Sequence, residues 1–259
     1  MRKYKNINEI VMPDDIDLSS FDLKTELNPK FWQNDILNKR IRRSLLLIAK
    51  DFISELPLEL NIIDIIFTGS LANYNWDKIY SDIDLHIVIN YNDLNIDIGV
   101  LTTLFKDAKT IWNTRHTDLT IAGYPVEVYV QDANAPHAST GVYSILHNKW
   151  IKKPQFKLIQ NKNLNTNTVK SKVAKYCNLI DDLESKFNNE FDSDTLSELY
   201  DDAKLIFKKI KNERSSGVAT KKAELSTGNV IFKALRRNGY IEKLLRLRTM
   251  CYDRLHSFY

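Results

Sequence analysis

Two aspartates, Asp82 and Asp84, are the side chains of this sequence best suited to chemistry, because they open an apolar run that ends at Ile89. A Gly69-Ser70 turn closes an earlier apolar run, and eleven residues separate Ser70 from Asp82. Carboxylate oxygens are preferred ligands of hard divalent cations. A Gly-Ser turn offers backbone N–H groups and a hydroxyl to phosphate. Together these residues have the chemistry that a metal-dependent reaction of a nucleoside triphosphate requires.

The elements that carry these residues are predicted to be strands. Residues 62–67, IIDIIF, form a short apolar run typical of a buried strand, and the alternation after Asp82 indicates a second one. Because alternate residues of a strand share a face, Asp82, Asp84 and His86 are expected to point one way, with the two carboxylates about 7 Å apart. We interpret His86 as a packed or hydrogen-bonded residue rather than a participant.

The D-x-D pattern alone is weak, since the chain contains two other copies. These are Asp15-Ile16-Asp17 and Asp192-Ser193-Asp194, neither of which lies in a predicted strand. We assign no role to either pair. The information lies in the order of a strand, a Gly-Ser turn, eleven residues and a D-x-D that opens a further strand.

A third carboxylate is expected from a neighbouring strand, and Glu127 is the candidate. It stands in Val126-Glu127-Val128-Tyr129-Val130, where the valines would face the core and Glu127 the other side. A charge at a half-buried strand position needs a partner or a ligand. The alternative is a solvent-facing glutamate on an open sheet face. Asp118 and Asp132 are weaker candidates because they stand at strand ends.

The rest of the pattern predicts an α+β protein with a mixed β-sheet domain flanked by helices and followed by an all-helical C-terminal domain. We expect an N-terminal arm at 1–34, a catalytic domain at 35–150 and a basic helical domain at 151–259. The local predictions are a helix at 35–56, a helix within 92–115, a hairpin of strands at 118–122 and 126–130, a short helix or turn at 141–151, and helices at 168–188, 193–214 and 228–256, the last interrupted at Asn238-Gly239.

The charge is distributed unevenly along the chain. Residues 1–148 contain 14 Lys and Arg against 20 Asp and Glu, a net of −6, and residues 149–259 contain 23 against 13, a net of +10. This division favours acidic groups that hold metal and basic helices that hold phosphate or nucleic acid. The alternative, a well-solvated helical surface, fits the basic half equally well. The basic candidates are Lys208, Lys209, Lys211, Arg214, Lys221, Lys222, Arg236, Arg237, Lys243, Arg246 and Arg248.

Composition excludes several classes of protein. No apolar run is long enough for a membrane span, and no apolar segment follows the basic N-terminal residues as in a secretory signal. Cys177 and Cys251 are far apart and lack the spacing of metal ligands. We therefore expect a cytoplasmic protein without membrane partners.

The combination of Thr68-Gly69-Ser70, eleven residues and Asp82-Ile83-Asp84-Leu85 resembles the signature of the DNA polymerase beta-like nucleotidyltransferase superfamily. The resemblance is specific over residues 62–90 and extends through 131. In size and layout the whole chain also resembles phage-encoded proteins described only as nucleotidyltransferases, which would place it in a host cytoplasm. The superfamily's third carboxylate is commonly Asp, so Glu127 departs from the usual residue type.

The resemblance implies transfer of a nucleoside monophosphate from a nucleoside triphosphate, with ATP as the expected donor, and release of pyrophosphate. Asp82, Asp84 and Glu127 would be the catalytic residues and the ligands of Mg²⁺ or Mn²⁺. Gly69 and Ser70 would bind the triphosphate.

The acceptor is open among several classes. The basic C-terminal half tilts the prediction towards RNA, especially tRNA. A small molecule, as in antibiotic-modifying relatives, and a protein hydroxyl, as in antitoxin-like relatives, are alternatives. A catalytically silent nucleotide- or nucleic-acid-binding protein is the rival from a different class.

Overall fold

The computed structural model describes residues 10–135, 139–156, 164–189, 192–218 and 225–257. The chain divides into two compact units, one of Ser20–Asn161 and one that combines Met1–Ser19 with Lys162–Tyr259. The first unit contains a mixed sheet flanked by helices, and the second is helical. This architecture confirms the predicted α+β fold class.

The strands are β1 (Trp32–Gln33), β2 (Ile36–Leu37), β3 (Ile62–Thr68), β4 (Ile83–Ile89), β5 (Thr120–Ile121), β6 (Tyr124–Asp132), β7 (Val142–Ser144) and β8 (Lys149–Lys152). The helices are α1 (Lys39–Ser54), α2 (Ile98–Arg115), α3 (Thr166–Asn189), α4 (Ser193–Val218), α5 (Thr227–Arg237) and α6 (Tyr240–His256). None of the helices within these described ranges is both long and apolar enough to cross a membrane.

The main sheet has six strands in the order β5-β6-β4-β3-β7-β8. Neighbouring strands are antiparallel except β4 and β6, which run parallel. The chain reaches β6 from β4 through α2 and β5, as a parallel pair requires a crossover rather than a tight turn. The parallel pair at the centre sets the ends of β4 and β6 side by side.

One face of the sheet packs into the main apolar core. Phe67, Leu85 and Val128 are fully buried there with Leu45 of α1 and Leu101 of α2. Within the described residues, the opposite face carries a small apolar cluster of Ile66, Val88 and Val142. Polar residues on that second face therefore do not interrupt the main core.

The first helix begins later than the sequence indicated. Helix α1 starts at Lys39, where the Asn38 side chain accepts a hydrogen bond from the Arg40 N–H at 2.9 Å. The predicted start at Asp35 was wrong, because residues 32–37 form the β1–β2 hairpin. Its turn residues Asn34 and Asp35 have φ of 50° and 63°, a left-handed conformation that these residue types tolerate.

The segment assigned to an arm at 1–34 contributes large side chains to the sheet-containing unit. Phe31 and Trp32 are buried in its main core, and the Trp32 ring stacks on Phe67 with ring centroids 5.8 Å apart. Amphipathic periodicity does not mark such a segment, because its apolar residues are inserted singly rather than as a helical or strand stripe.

The prediction of a short helix or turn at 141–151 was wrong. These residues form the β7–β8 hairpin, and β7 adds the sheet's fifth strand by pairing with β3. Trp150 stacks on Trp32 at 4.5 Å, and Tyr143 is fully buried. Three- and four-residue strands are too short to show a period, so their pairing with β3 and their aromatic contacts decide the structure.

The predicted C-terminal helices are confirmed as α3 to α6. The break expected at Asn238-Gly239 separates α5 from α6, with Gly239 at φ of 80°. Because φ in this range disfavours side chains with a Cβ, glycine fits this turn between two helices. Val11, near the N-terminus, belongs to the helical unit as well, where its N–H donates to Asn178 Oδ1 at 2.8 Å.

Candidate functional site

Asp82 and Asp84 lie at the start of β4. Asp82 comes one residue before the strand, and Asp84 is its second residue. Ile83, Leu85 and Ile87 are fully buried in the main core, whereas Asp84 is half-buried on the other face. The alternation inferred from the sequence thus holds within β4.

Glu127 lies directly beside Asp84. The parallel pairing of β4 with β6 makes Asp84 and Glu127 register partners, so both half-buried side chains stand on the same face of adjacent strands. Burial raises the pKa of the Tyr129 phenol, and the charges of Asp84, Glu127 and Asp82 raise it further. All three predicted carboxylates are therefore close enough to act on one side chain.

Gly69 brings the backbone after β3 against Asp84. Thr68, the last residue of β3, is the register partner of Asp84, and Gly69 follows with φ of 77°. A Cβ built on Gly69 would lie 1.8 Å from Asp84 Oδ2. A larger residue cannot fit there without displacing the carboxylate. The Asp84 carboxylate is thus the group that the Gly69 backbone approaches.

Ser70 is linked to the residue that precedes Asp82. The Ser70 and Ser81 hydroxyls are 2.7 Å apart, and the Asp77 N–H donates to Ser81 Oγ at 2.8 Å. Ser81 is 3% exposed. This buried contact ties the Gly-Ser turn to the start of β4. Sequence reasoning missed Ser81, because a single serine in a loop carries no pattern.

Two further residues, Tyr129 and Lys109, contact the Glu127 carboxylate. The Tyr129 hydroxyl donates a short hydrogen bond to Glu127 Oε2. Lys109 Nζ of α2 lies 3.5 Å from the same oxygen and 3.7 Å from the centroid of the Tyr129 ring. Tyr129 follows Glu127 by two residues in β6 and shares its face, whereas no sequence pattern indicated Lys109, which lies in α2.

A second row of side chains lies one step along the strands from the carboxylates. His86 and Tyr129 are register partners, and their rings stack with centroids 4.8 Å apart. His86 Nε2 is 3.2 Å from Thr68 Oγ1. Through these contacts, Thr68 of β3, His86 of β4 and Tyr129 of β6 form a row beside Asp84 and Glu127. These contacts agree with the interpretation of His86 as a packed, hydrogen-bonded residue.

The donor atoms at these strand ends fit a hard divalent cation, since Asp82, Asp84 and Glu127 all provide carboxylate oxygens. Across the described parts of the chain, however, no three His, Cys, Asp or Glu side chains are grouped as ligands of one metal ion. Glu127 gives Oε2 to Tyr129 and Lys109 instead. The fit is one of donor chemistry and strand position rather than of a completed ligand set.

The helical unit contains a basic groove of about 750 Å³. It lies where α4 meets α3 and α5. Three lysines line it, and its acidic residue, Glu213, is paired with Lys172 at 3.1 Å. The lining residues are Lys172, Leu205, Lys208, Lys209, Asn212, Glu213, Ser216, Thr227 and Gly228.

The other basic candidates differ in whether their side chains are already engaged within the unit. Lys243 binds Asp181 at 2.6 Å and Glu184 at 2.5 Å, so its charge is satisfied within the unit. Arg214 lies over the Phe232 ring at 4.2 Å. Lys211, Arg236 and Arg246 are exposed. Lys221 and Lys222 lie outside the described residues.

No family model matches this sequence, and no curated protein matches it. A chain in the solved complex of CdnC with HORMA-deltaN from E. coli MS115-1 matches 85% of this chain and 92% of its own length. The two chains are 13% identical, and the TM-score is 0.24. A TM-score this low does not establish a common fold, so nothing about this protein is inferred from it.

Proposed function

We propose that this protein is a metal-dependent nucleotidyltransferase that moves a nucleoside monophosphate from a nucleoside triphosphate to a hydroxyl acceptor and releases pyrophosphate. The observation that carries this proposal is the register of Asp84 with Glu127 on adjacent parallel strands. Asp82 stands one residue before the same strand, and the Gly69 backbone lies against the Asp84 carboxylate. This arrangement agrees with the superfamily signature that residues 62–90 resemble.

Each residue of the site has a proposed role. Asp82, Asp84 and Glu127 would hold Mg²⁺ or Mn²⁺ through their carboxylate oxygens. Bound ions of this kind stabilise the attacking and leaving oxygens of an in-line displacement. Backbone N–H groups after Gly69, with the Ser70 hydroxyl, would bind the triphosphate, and ATP is the proposed donor.

The chemical balance of the transfer is simple. The acceptor oxygen forms a bond to the α-phosphorus, and the bond from that phosphorus to the α–β bridging oxygen breaks. Pyrophosphate leaves with the bonding electron pair, and the acceptor hydroxyl releases its proton to water. The half-buried carboxylates of Asp84 and Glu127 are suited to this step, because a site with restricted water strengthens electrostatic stabilisation.

RNA, including tRNA, is the proposed acceptor. The basic groove in the helical unit supports this choice, since the exposed Lys208 and Lys209 lie there and lysines outnumber acidic residues in its lining. Phosphodiester backbones bind such surfaces through their charge. The interaction is expected to weaken steeply as the salt concentration rises.

The test is incubation with each labelled nucleoside triphosphate, Mg²⁺ or Mn²⁺, and total RNA. We expect label to enter RNA, and Asp84→Asn to lower the rate by about 100-fold or more because a metal ligand loses its charge. Asp107→Asn is the matched control, since Asp107 is an exposed aspartate of α2 in the same unit. It should react at the native rate.

Several outcomes would revise the proposal. Full activity of Asp84→Asn contradicts the site assignment. If the label enters protein, or if pyrophosphate is released while the RNA stays unlabelled, the proposed transferase activity stands and the acceptor is not RNA. Tight nucleotide binding without turnover under either metal contradicts the enzyme and indicates a silent binding protein.

A further inference from the structure

Tyr129 and Lys109 contact the Glu127 carboxylate through the same one of its two oxygens. Tyr129 donates its hydroxyl hydrogen bond to Glu127 Oε2, and Lys109 Nζ approaches that same oxygen at 3.5 Å. Within the described residues, both contacts of this carboxylate thus fall on one oxygen atom. Two contacts to the same oxygen restrict the movement of the carboxylate and leave its second oxygen able to accept a further ligand.

Tyr129 is itself fixed by neighbours from other elements. Its ring stacks on His86 of β4, which contacts Thr68 of β3. Lys109 of α2 lies 3.7 Å from the centroid of the same ring, within the range of a cation–π interaction. The Tyr129 ring is therefore positioned by His86 of β4 and by Lys109 of α2, and His86 is in turn held by Thr68 of β3.

We propose that Tyr129 is the positioning residue of the site: it holds Glu127 by Oε2, so that Oε1 is presented to the metal ion beside Asp84. This inference rests on the proposed function, because it assumes that Glu127 is a ligand. Tyr129 acts through Glu127 and contacts neither nucleotide nor metal. Lys109 supports it by fixing the ring and by balancing part of the negative charge.

The substitution that tests this role is Tyr129→Phe. It removes the donating hydroxyl and keeps the ring that stacks on His86 and receives Lys109. The site-specific part of Mn²⁺ binding is defined by titration calorimetry on the native protein and on Asp84→Asn. We expect Tyr129→Phe to weaken that binding by about ten-fold, the lower end of the range for losing a residue that orients a metal ligand.

A double-mutant cycle separates positioning from a general structural effect. If Tyr129 acts only through Glu127, Tyr129→Phe has no further effect on Mn²⁺ binding in a Glu127→Gln background. Additive losses in the double variant, or unchanged Mn²⁺ binding by Tyr129→Phe alone, overturn the proposal. Absence of site-specific Mn²⁺ binding by the native protein overturns it as well.

The transfer assay distinguishes this inference from the proposed function. We expect Tyr129→Phe to lower kcat with little change in KM for the nucleoside triphosphate, because its effect is on metal geometry rather than on triphosphate contacts. If no transfer occurs but Mn²⁺ binding follows the cycle, the positioning role stands and the transferase proposal falls. If transfer proceeds and Tyr129→Phe changes neither kcat nor Mn²⁺ binding, the positioning role falls alone.

Discussion

Two lysines show how differently the two compact units use a positive charge among carboxylates. In the helical unit, Lys243 Nζ lies 2.6 Å from Asp181 and 2.5 Å from Glu184, and the Tyr240 hydroxyl also donates to Asp181. In the sheet-containing unit, Lys109 Nζ is 3.5 Å from Glu127 and rests over a phenol ring. We call the first cluster closed, because its lysine forms two short ion pairs, and the second loose, because its lysine lies farther from its carboxylate.

This difference shows why net charge alone is a poor guide to function. The basic excess of residues 149–259 includes a lysine that is already bound by two acids, which reduces the charge available to a partner. The acidic excess of residues 1–148 includes three carboxylates whose charges raise the pKa of one phenol, and Lys109 contacts one of them, Glu127. The closed cluster ties α6 to α3.

The largest expected effect comes from Gly69→Ala, which would break the carboxylate site. The new Cβ would lie 1.8 Å from Asp84 Oδ2, at a φ of 77° that alanine disfavours. We expect transfer to fall about 100-fold and the free energy of unfolding to fall by about 1–3 kcal/mol, measured by the labelled assay and by urea denaturation.

Gly123→Ala is the matched control for Gly69→Ala. Gly123 has a similar φ of 88°, but the atom nearest to a new Cβ there would be Lys30 Nζ at 3.8 Å. It therefore introduces the backbone strain without the clash. Equal loss of transfer in both variants would mean that strain, rather than displacement of Asp84, is responsible.

An intermediate effect is expected from Lys243→Met, which opens the closed cluster. Asp181 and Glu184 would remain half-buried without their cation, so we expect the free energy of unfolding to fall by about 1–2 kcal/mol. The same substitution at Lys109 should cost less, because its ion pair is longer and involves one carboxylate. Equal costs for the two variants would contradict the distinction between closed and loose clusters.

The pH dependence of stability sharpens the same comparison. Burial lowers the pKa of Lys243, but hydrogen bonds to Asp181 and Glu184 outweigh it and raise that pKa above its ordinary value of 10.5. A raised lysine pKa stabilises the folded state fully below the unfolded value and loses this contribution as pH rises through the folded value. The native protein should thus exceed Lys243→Met in stability below the ordinary lysine pKa of 10.5, and this difference should shrink as the pH rises through the raised pKa of Lys243.

The smallest effect is expected from Asp192→Asn in one of the other D-x-D pairs. Asp192 Oδ1 accepts the Thr195 N–H at 2.9 Å near the start of α4, and this hydrogen bond lowers the pKa of the carboxyl. Asparagine can accept the same bond. Transfer should stay within about two-fold of the native rate, as for surface changes away from a site; a larger loss would give this pair a role.

The three D-x-D pairs also show what a local pattern leaves undecided. Asp17 accepts hydrogen bonds from Ser19, and Asp192 accepts one from Thr195, so both aspartates stabilise the backbone next to them. Asp84 lies in a strand between two partners, Thr68 and Glu127. The sequence distinguished this pair through the apolar alternation around it, because strand burial repeats every second residue.

Sequence alone determined the features that depend on local periodicity and turn chemistry. These are the strand character of residues 62–67 and 83–89, the helices of the C-terminal half, the break at Gly239, and the common face of Asp84 and His86. Each follows from side-chain spacing or from the φ that glycine permits, and each can be read within a few residues.

Tertiary structure decided the features that depend on strand pairing and on contacts between distant elements. The parallel register of β4 with β6 puts Glu127 beside Asp84, pairing with β3 makes residues 142–144 the strand β7, with which β8 then pairs, and α2 brings Lys109 to Tyr129. Local sequence cannot encode these contacts, because the partner of a strand or helix is chosen by burial of the whole apolar face. The same reason explains why Lys243 and Lys109, alike as residues, have different roles.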